Sequence, residues 1–537
     1  MVSRFACKRS SIRIAGRAPE THRKETILVI SNIRANQSRA EASRSAVSDV
    51  QLGSEDQGYQ KTLRPRQVQM IAIGGAIGSG LFMGAGARLA EAGPSLVLVY
   101  AVCGFFAWLI IRALGELVMY RPTTGSFVSY AREFYGEKLA YAAGWMYWTN
   151  WVTVAIADLT AIALYIGFFK AYVPFLDGIP QWVLALGTLV FITSLNLLSV
   201  KIFGELEFWF SFVKVATLVL FLCVGSYMVL FGTPLPGHSV GITLINDNGG
   251  WFPHGVLSAI VMVQGVIFAY GSIELIGTAA GEAKDVKTVM PKAIRAVLFR
   301  IVVFYIGSVL LLAMLLPHTA YRAGVSPFVT FFGSIGVPGA DAIMNLVLVT
   351  AALSSVNAGI YSTGRILRSL AMSGSAPAFL ARMNRQGVPF SGIMLTTAAS
   401  SVGVLMNALV PGQAFEIAMT LTAVLLIGSW ATIILCQIKL WKWSRDGLVD
   451  RPEFRMAFAP YSGYATLAFF VFILVLIGLD YPVGTFTIAS VPFYGAVLVV
   501  GWYLVRKRVK AIANGEVTVS GQAKSREYGG QALASND

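Results

Sequence analysis

Apolar runs of roughly 20 residues, the length a helix needs to cross a bilayer, recur from residue 66 to residue 505 and leave this chain little choice of fold. Twelve can be counted: 66–88, 95–118, 139–169, 181–200, 206–231, 255–279, 293–316, 341–372, 391–410, 416–437, 459–478 and 485–505. Hydrophobic residues make up 56% of the chain and charged residues only 13%, a balance no ordinary soluble domain carries. The expected fold class is an all-α polytopic membrane protein with 12 transmembrane helices. The third and eighth runs exceed a perpendicular span and should tilt or extend past the membrane.

The net charge of +15 raises the question of nucleic acid, but the placement of the basic residues answers it. Arg121, Arg132 and Lys138 follow the second run; Lys284, Lys287, Lys292 and Arg295 follow the sixth; Arg382 and Arg385 follow the eighth. Lys439, Lys442, Arg445, Arg451 and Arg455 follow the tenth, whereas the loops at 232–254, 317–340, 411–415 and 479–484 hold Arg322 alone. Basic residues concentrate in cytoplasmic loops, so the alternation predicts both termini inside and an even number of spans. No nucleic-acid partner is expected; the partner of this surface is the lipid bilayer.

Cys103, Cys223 and Cys436 lie inside apolar runs, where cysteine behaves as a small hydrophobe, and Cys7 is near the N-terminus. No Cys/His spacing suits a metal, and no cofactor is expected. No HExxH or GxSxG stretch points to an enzyme. Residues 1–62 are rich in Ser, Arg and Ala and read as a disordered cytoplasmic tail, although basic, acid-free Met1–Arg17 loosely suggests a targeting peptide. Residues 510–537 read as a second loose cytoplasmic tail.

Within the first run, Gly74-Gly75-Ala76-Ile77-Gly78-Ser79-Gly80-Leu81-Phe82 is too rich in glycine to hold a regular helix. A loosened turn in a spanning segment survives only where it is buried or lines a cavity. The sixth run is interrupted in the same way at Val266-Ile267-Phe268-Ala269-Tyr270-Gly271-Ser272-Ile273-Glu274. An interval of five helices is odd, so the two interruptions would belong to halves of opposite orientation. Paired broken helices in inverted repeats point to a midplane site for a small polar solute. Gly84 and Gly86 are read instead as packing residues.

Ionisable residues in spans are costly and tend to be functional. Glu116 stands four residues after Arg112, a spacing that predicts an ion pair on one helix. Lys214 either snorkels to the interface or, kept from water, gains and loses a proton during a cycle. Asp158 lies two turns beyond the aromatic run at Trp145, Tyr147, Trp148 and Trp151, with Trp145 and Trp148 read as an interface belt or as packing. Asp158 is placed to take a proton, attract an ammonium or pair with a cation on another helix. Glu274, beside the second interruption, is expected to face the cavity. Asn150, Thr149, Gln264 and Asn357 are candidates to bind a polar side chain of the solute, or simply to bond neighbouring helices.

The glycine motif at 74–82 resembles the first-helix motif of amino acid permeases in the amino acid–polyamine–organocation superfamily. So do Glu205-Leu206-Glu207-Phe208-Trp209-Phe210 with Lys214, Ala280-Gly281-Glu282, and Tyr361-Ser362-Thr363-Gly364-Arg365. The likeness runs from about Arg64 to Val509. It implies a permease domain at 63–509: one five-helix repeat over about 66–231, an inverted one over about 255–437, and two peripheral helices at about 459–505. It also implies that backbone N–H groups at Ser79 and Gly80, next to Gly78, hold the carboxylate of an amino acid substrate. Carbonyls at Ala76, Phe268 and Gly271, beside Tyr270, would hold its ammonium, with Phe268 as an aromatic gate. Lys214 matches a proton-coupling lysine, with Glu274 and Asp158 as further candidates for charge relay, so protons are the expected second partner and no sodium site is predicted. The stretches 244–255, 326–332 and 365–377 resemble the branch of the family that carries L-asparagine. Import of L-asparagine across the bacterial inner membrane by proton symport is therefore the expectation. Another amino acid (aspartate, glycine or D-serine), an exchanger and a nutrient receptor without flux are the alternatives.

Overall fold

A computed structural model describes residues 77–123, 125–198, 200–232, 239–275, 277, 286–384 and 387–514. Chain contacts separate Met1–Val50 from Gln51–Asp537, and all described residues belong to the second unit. Gly74, Gly75, Ala76, the Ala280-Gly281-Glu282 stretch and residues 1–62 lie outside them.

Helix is the only regular secondary structure among the described residues. In order come α1 (Ser79–Phe82), α2 (Gly84–Ala92), α3 (Leu96–Tyr120), α4 (Ser126–Tyr135), α5 (Glu137–Phe168) and α6 (Gln181–Leu198). Then follow α7 (Val200–Leu230), α8 (Ile242–Asp247), α9 (Gly255–Val266), α10 (Val286–Arg300), α11 (Ser308–Leu315) and α12 (Pro327–Ser334). The series ends with α13 (Ala340–Met372), α14 (Phe390–Leu409), α15 (Ala414–Arg445), α16 (Tyr461–Leu479) and α17 (Val483–Ala513). A wide helical turn at Ile301–Gly307 joins α10 to α11.

Among the described residues, 10 helical stretches are long and apolar enough to cross a membrane. The first, Ser79–Tyr120, contains parts of two of the expected runs, joined by a short turn at Gly93-Pro94-Ser95 in which Gly93 takes a positive φ of 62°. The sixth expected run is present as a shorter apolar helix, Gly255–Tyr270. This is a polytopic helical membrane protein. At the far end, α17 continues to Ala513, so the first residues of the expected C-terminal tail are helical.

Lipid tails are as apolar as leucine, so helices in a bilayer associate through close packing and hydrogen bonds rather than through the hydrophobic effect. The spine of the packing is α5, which lies against α13, α14 and α15 and is buried almost all round between Asn150 and Ala163. Glycine makes these contacts close: a Cβ on Gly359 would lie 2.5 Å from the Trp151 ring, and one on Gly403 would lie 2.9 Å from Ile156. Gly86 likewise abuts the Val325 carbonyl, a packing role. Trp145 and Trp148 join this interior, donating to the Ser375 carbonyl (3.1 Å) and the Thr396 hydroxyl (3.0 Å). The outer helices are different. Phe493, Val500 and Leu504 of α17 are exposed, as a lipid-facing surface requires.

Gly136 shows how the sequence sets up this spine. Its φ of 88° lies in the left-handed region that glycine enters without strain, which lets α4 stop and α5 start at once in a new direction. Glu137 then occupies the first turn of α5, where a negative charge suits the helix dipole.

The expected pair between Arg112 and Glu116 does not form. The fully buried Glu116 carboxylate instead receives Arg451 Nε (2.5 Å), Gln437 Nε2 (3.1 Å) and the Met456 N–H (2.7 Å). Arg112 lies with its guanidinium 4.0 Å from the centre of the Phe454 ring and donates to the Arg455 carbonyl. The segment 451–456 thus outcompetes the one-turn neighbour because it supplies several donors at once. Arg451→Ala strands a buried carboxylate and should cost up to about 3 kcal/mol. Arg112→Ala should cost much less. Thermal melting of the detergent-solubilised protein should show a clear drop for the first variant and a small one for the second.

Candidate functional site

The first interruption is visible at Gly78, whose backbone is extended (φ −118°, ψ −164°) immediately before α1. Helical geometry then runs on through Met83 into α2. The first N–H groups of a helix have no acceptor within it, and the backbone of Ser79 turns its own toward the Asp158 carboxylate. The second interruption follows α9, which tightens at Ile267–Tyr270 and ends at Gly271 in extended backbone. Ser272 has φ 71°, a left-handed conformation that costs a non-glycine residue of order 1 kcal/mol. That strain is held in place at the break itself.

The two interruptions touch. A Cβ on Gly80 would come within 2.8 Å of Ala269 Cα and 2.9 Å of Phe268 Cδ1. Between them lies a small cavity. Gly78, Ser79 and Gly80 form one wall; Phe268, Ala269, Gly271 and Ser272 form another. The spine helix α5 contributes Asn150, Val154 and Asp158, one stripe at four-residue spacing. Ser355 of α13 and Thr422 and Leu426 of α15 complete the lining.

Two charged residues clamp the first interruption. On one side, Ser79 Oγ donates to Asp158 Oδ1 at 2.5 Å. On the other, Lys214 Nζ donates to the Ile77 carbonyl at 3.1 Å and to Ser354 Oγ at 2.9 Å. Lys214 is fully buried, so the snorkelling alternative is overturned. Ser354 passes its own proton to Glu207 Oε1 at 2.6 Å, and Asn357 Nδ2 approaches Glu207 Oε2 at 3.4 Å. Asn196 Nδ2 donates to Asn357 Oδ1 at 2.9 Å, extending the network to α6. A buried cation is thereby matched by carboxylates on both flanks, as a low-dielectric interior demands.

The other expected residues distribute as follows. Gly78, Ser79, Gly80, Phe268, Gly271 and Asp158 are brought together around the cavity. Lys214 stands one residue behind it. Ala76 lies outside the described residues. Tyr270 faces away: its hydroxyl donates to the Tyr100 carbonyl (2.6 Å) and its ring stacks on Tyr305 at 4.9 Å. Glu274 also stays out of the lining, its Oε2 accepting from Trp430 Nε1 at 3.1 Å. Both flank a strained turn, and different helices claim their side chains: α3 takes Tyr270 and α15 takes Glu274. Of the polar candidates, Asn150 alone reaches the cavity. Thr149 bonds Trp145 and Tyr494, Gln264 bonds Asp480, and Asn357 belongs to the Glu207 network. Ser272, Ser355 and Thr422 were not foreseen. A hydroxyl on a membrane helix carries no mark that separates a lining role from helix bonding, whereas the Asn150–Val154–Asp158 spacing is readable once α5 is known to be central.

Among the described residues, no group of three His, Cys, Asp or Glu side chains is placed to hold a metal ion. A helical membrane protein with a small polar cavity between two interrupted helices belongs in design to the solute carriers. The sequence profile of the amino acid permease family matches residues 67–514. L-asparagine permease of Escherichia coli (strain K12) is 55% identical over 461 residues, covering 86% of this chain and 92% of that protein. L-asparagine permease 1 of Mycobacterium tuberculosis (strain ATCC 25618 / H37Rv) is 55% identical over 459 residues, 86% of this chain and 93% of the relative. The corresponding figures for L-asparagine permease of Streptomyces coelicolor (strain ATCC BAA-471 / A3(2) / M145) are 50% over 464 residues, 86% and 94%. The chain belongs to the amino acid permease family: it is an amino acid transporter, not an enzyme.

The contact between Gly80 and Ala269 makes a graded test. Gly80→Ala forces the two interruptions apart at a cost of about 1–3 kcal/mol and should lower amino acid uptake by roughly tenfold or more. Gly78→Ala meets only Ser355 Oγ at 3.4 Å and should stay within a few-fold of wild type. Uptake normalised to the amount of protein in the membrane measures both.

Proposed function

We propose that this permease imports L-asparagine across the bacterial inner membrane by proton symport with alternating access. The observation that carries this reading is the cavity shared by the two interruptions, with Lys214 bonded to the Ile77 carbonyl at its edge. The names of relatives more than 50% identical over most of the chain support asparagine as the solute.

In this reading the substrate carboxylate sits on the N–H groups of Ser79 and Gly80, beside Gly78, where backbone donors and the positive end of the helix dipole attract an anion. The ammonium takes carbonyls at Ala76, Phe268 and Gly271, and the Phe268 ring closes over it. Asp158, bonded to Ser79 Oγ, adds a negative charge at the end of the cavity that takes the α-amino group in this reading. Tyr270 and Glu274 brace the second interruption from behind rather than touch the solute. Twelve spans, arranged as inverted repeats over about 66–231 and 255–437 with two peripheral helices, put the interruptions near mid-membrane. The loop charges place both termini in the cytoplasm.

Coupling follows from the position of Lys214. As an ammonium it neutralises the Asp158–Glu207 surroundings and fixes the Ile77 carbonyl. On losing its proton it gives up the charge-assisted part of that bond and loosens the segment that carries the substrate's N–H donors. Proton and substrate then favour each other's binding reciprocally. A sodium ion at the same place would face the lysine's own charge.

Purified protein in proteoliposomes should accumulate labelled asparagine only with an inward proton gradient. Accumulation that depends on amino acid inside the vesicle, and not on the gradient, would make the protein an exchanger. Lys214→Ala should reduce gradient-driven accumulation about tenfold while sparing equilibrium exchange. Equal loss of both would remove Lys214 from the coupling step.

A further inference from the structure

Five asparagines are buried among the described residues, and four use their side chains to tie helices together. Asn196 bonds the Ile192 carbonyl and Asn357; Asn357 bonds Asn196 and Glu207. Asn407 bonds Thr160 and the Gly403 carbonyl, and Asn345 bonds the Tyr165 carbonyl. Asn150 is the exception. It is 2% exposed, its Oδ1 is buried without a hydrogen-bond partner among the described residues, and none of them accepts from its Nδ2. Burying an amide unpaired in an apolar interior is costly, so such a group marks a place where a ligand completes the bonding. Asn150 is among the residues that line the cavity.

We propose that Asn150 reads the carboxamide of the substrate through a reciprocal amide–amide pair. This rests on the reading that the cavity takes asparagine. In the pair, Asn150 Oδ1 accepts one N–H of the substrate amide and Asn150 Nδ2 donates to its oxygen. The arrangement works whichever way the Asn150 amide is turned, since each edge of an amide offers one donor and one acceptor.

Thr422 takes the remaining N–H. The Thr153 hydroxyl gives its proton to the Asn150 backbone carbonyl at 2.8 Å. The Thr422 hydroxyl therefore gives its own proton to Thr153 Oγ1 (2.8 Å) or to the Ala418 carbonyl (2.7 Å). In either case Thr422 meets the cavity as an acceptor. Asn150 Oδ1 and Thr422 Oγ1 then match the two N–H groups of a primary amide. A carboxylate in the same place sets its lone pairs against both acceptors, which selects against aspartate.

Length selects as well. Asn150 and Asp158 are separated by two helical turns, about 12 Å along α5 at 1.5 Å per residue. Asp158 marks the end of the cavity bonded to Ser79, where the α-amino and α-carboxyl groups bind in this reading. A solute bound at that end pairs with the Asn150 amide only if its side chain extends along α5 toward it. Glycine and serine leave the Asn150 amide unpaired.

The test uses the full-length purified protein and reads affinity from ligand-induced thermal stabilisation, which does not require transport. Asparagine, aspartate and leucine, the apolar isostere of asparagine, are titrated against wild type and Asn150→Leu. Wild type should favour asparagine over both. Asn150→Leu should weaken asparagine at least about tenfold, the cost of an unpaired buried amide, and should shift the asparagine-to-leucine ratio toward leucine. An unchanged ratio overturns the proposal. If Asn150→Leu does not melt cooperatively, Asn150→Asp, which keeps the shape and loses the donor, carries the test: asparagine should again weaken about tenfold, and unaltered affinity overturns the role of Asn150. A wild type that favours a different amino acid removes the asparagine assignment, and the carboxamide pair with it. The two failures therefore appear in different samples.

Discussion

A peptide group stripped of its partner in hydrocarbon costs several kcal/mol, and the protein is organised around the two places where that cost has to be met. At Gly78 and Gly271 the helical ladder stops, and the backbone groups released there cannot face lipid. The spine helix α5 and its neighbours α13 and α15 therefore enclose both breaks. The enclosure gives the cavity its position. Its walls are backbone because the interruptions expose backbone, and its remaining polarity comes from the helices that cover them.

Close coverage requires small residues at the crossing points. Gly359 beneath Trp151 and Gly403 beside Ile156 let α13 and α14 approach α5 to near contact, and Gly80 lets the two interruptions meet. Dense packing of this kind transmits position well, because a core at crystal density has little slack. Lys214 and Asp158 use that rigidity. They hold the Ile77–Ser79 segment from opposite sides, so a change in charge at either one is felt at the backbone groups bordering the cavity.

Two other buried carboxylates are met by several donors each. Glu116 is satisfied by three donors from outside its own helix, and Glu207 shares its carboxylate with Ser354, Ser211 and Asn357. Each network joins helices far apart in sequence. Asn150 and Asp158 line the cavity and each keeps a buried oxygen without a hydrogen-bond partner among the described residues, as Glu274 and Gln437 do elsewhere.

Much of this is written in the linear chain. Hydrophobic run length dictates spanning helices because the bilayer has a fixed thickness, and glycine clusters at 74–80 and around Gly271 mark where helices yield. Asp158 stands out as a charge whose cost in a membrane needs a compensating role, while the resemblance to the family points to Ser79, Gly80 and Phe268. Side-chain direction is different in kind. Glu116 chose Arg451 over Arg112, Tyr270 and Glu274 turned away from the cavity, and Asn150 alone of the four polar candidates turned toward it. Helical periodicity fixes which residues share a face but not which neighbour that face meets. That was decided only when α5 packed into the centre, because a hydrogen bond is made with whatever the tertiary fold brings within about 3 Å.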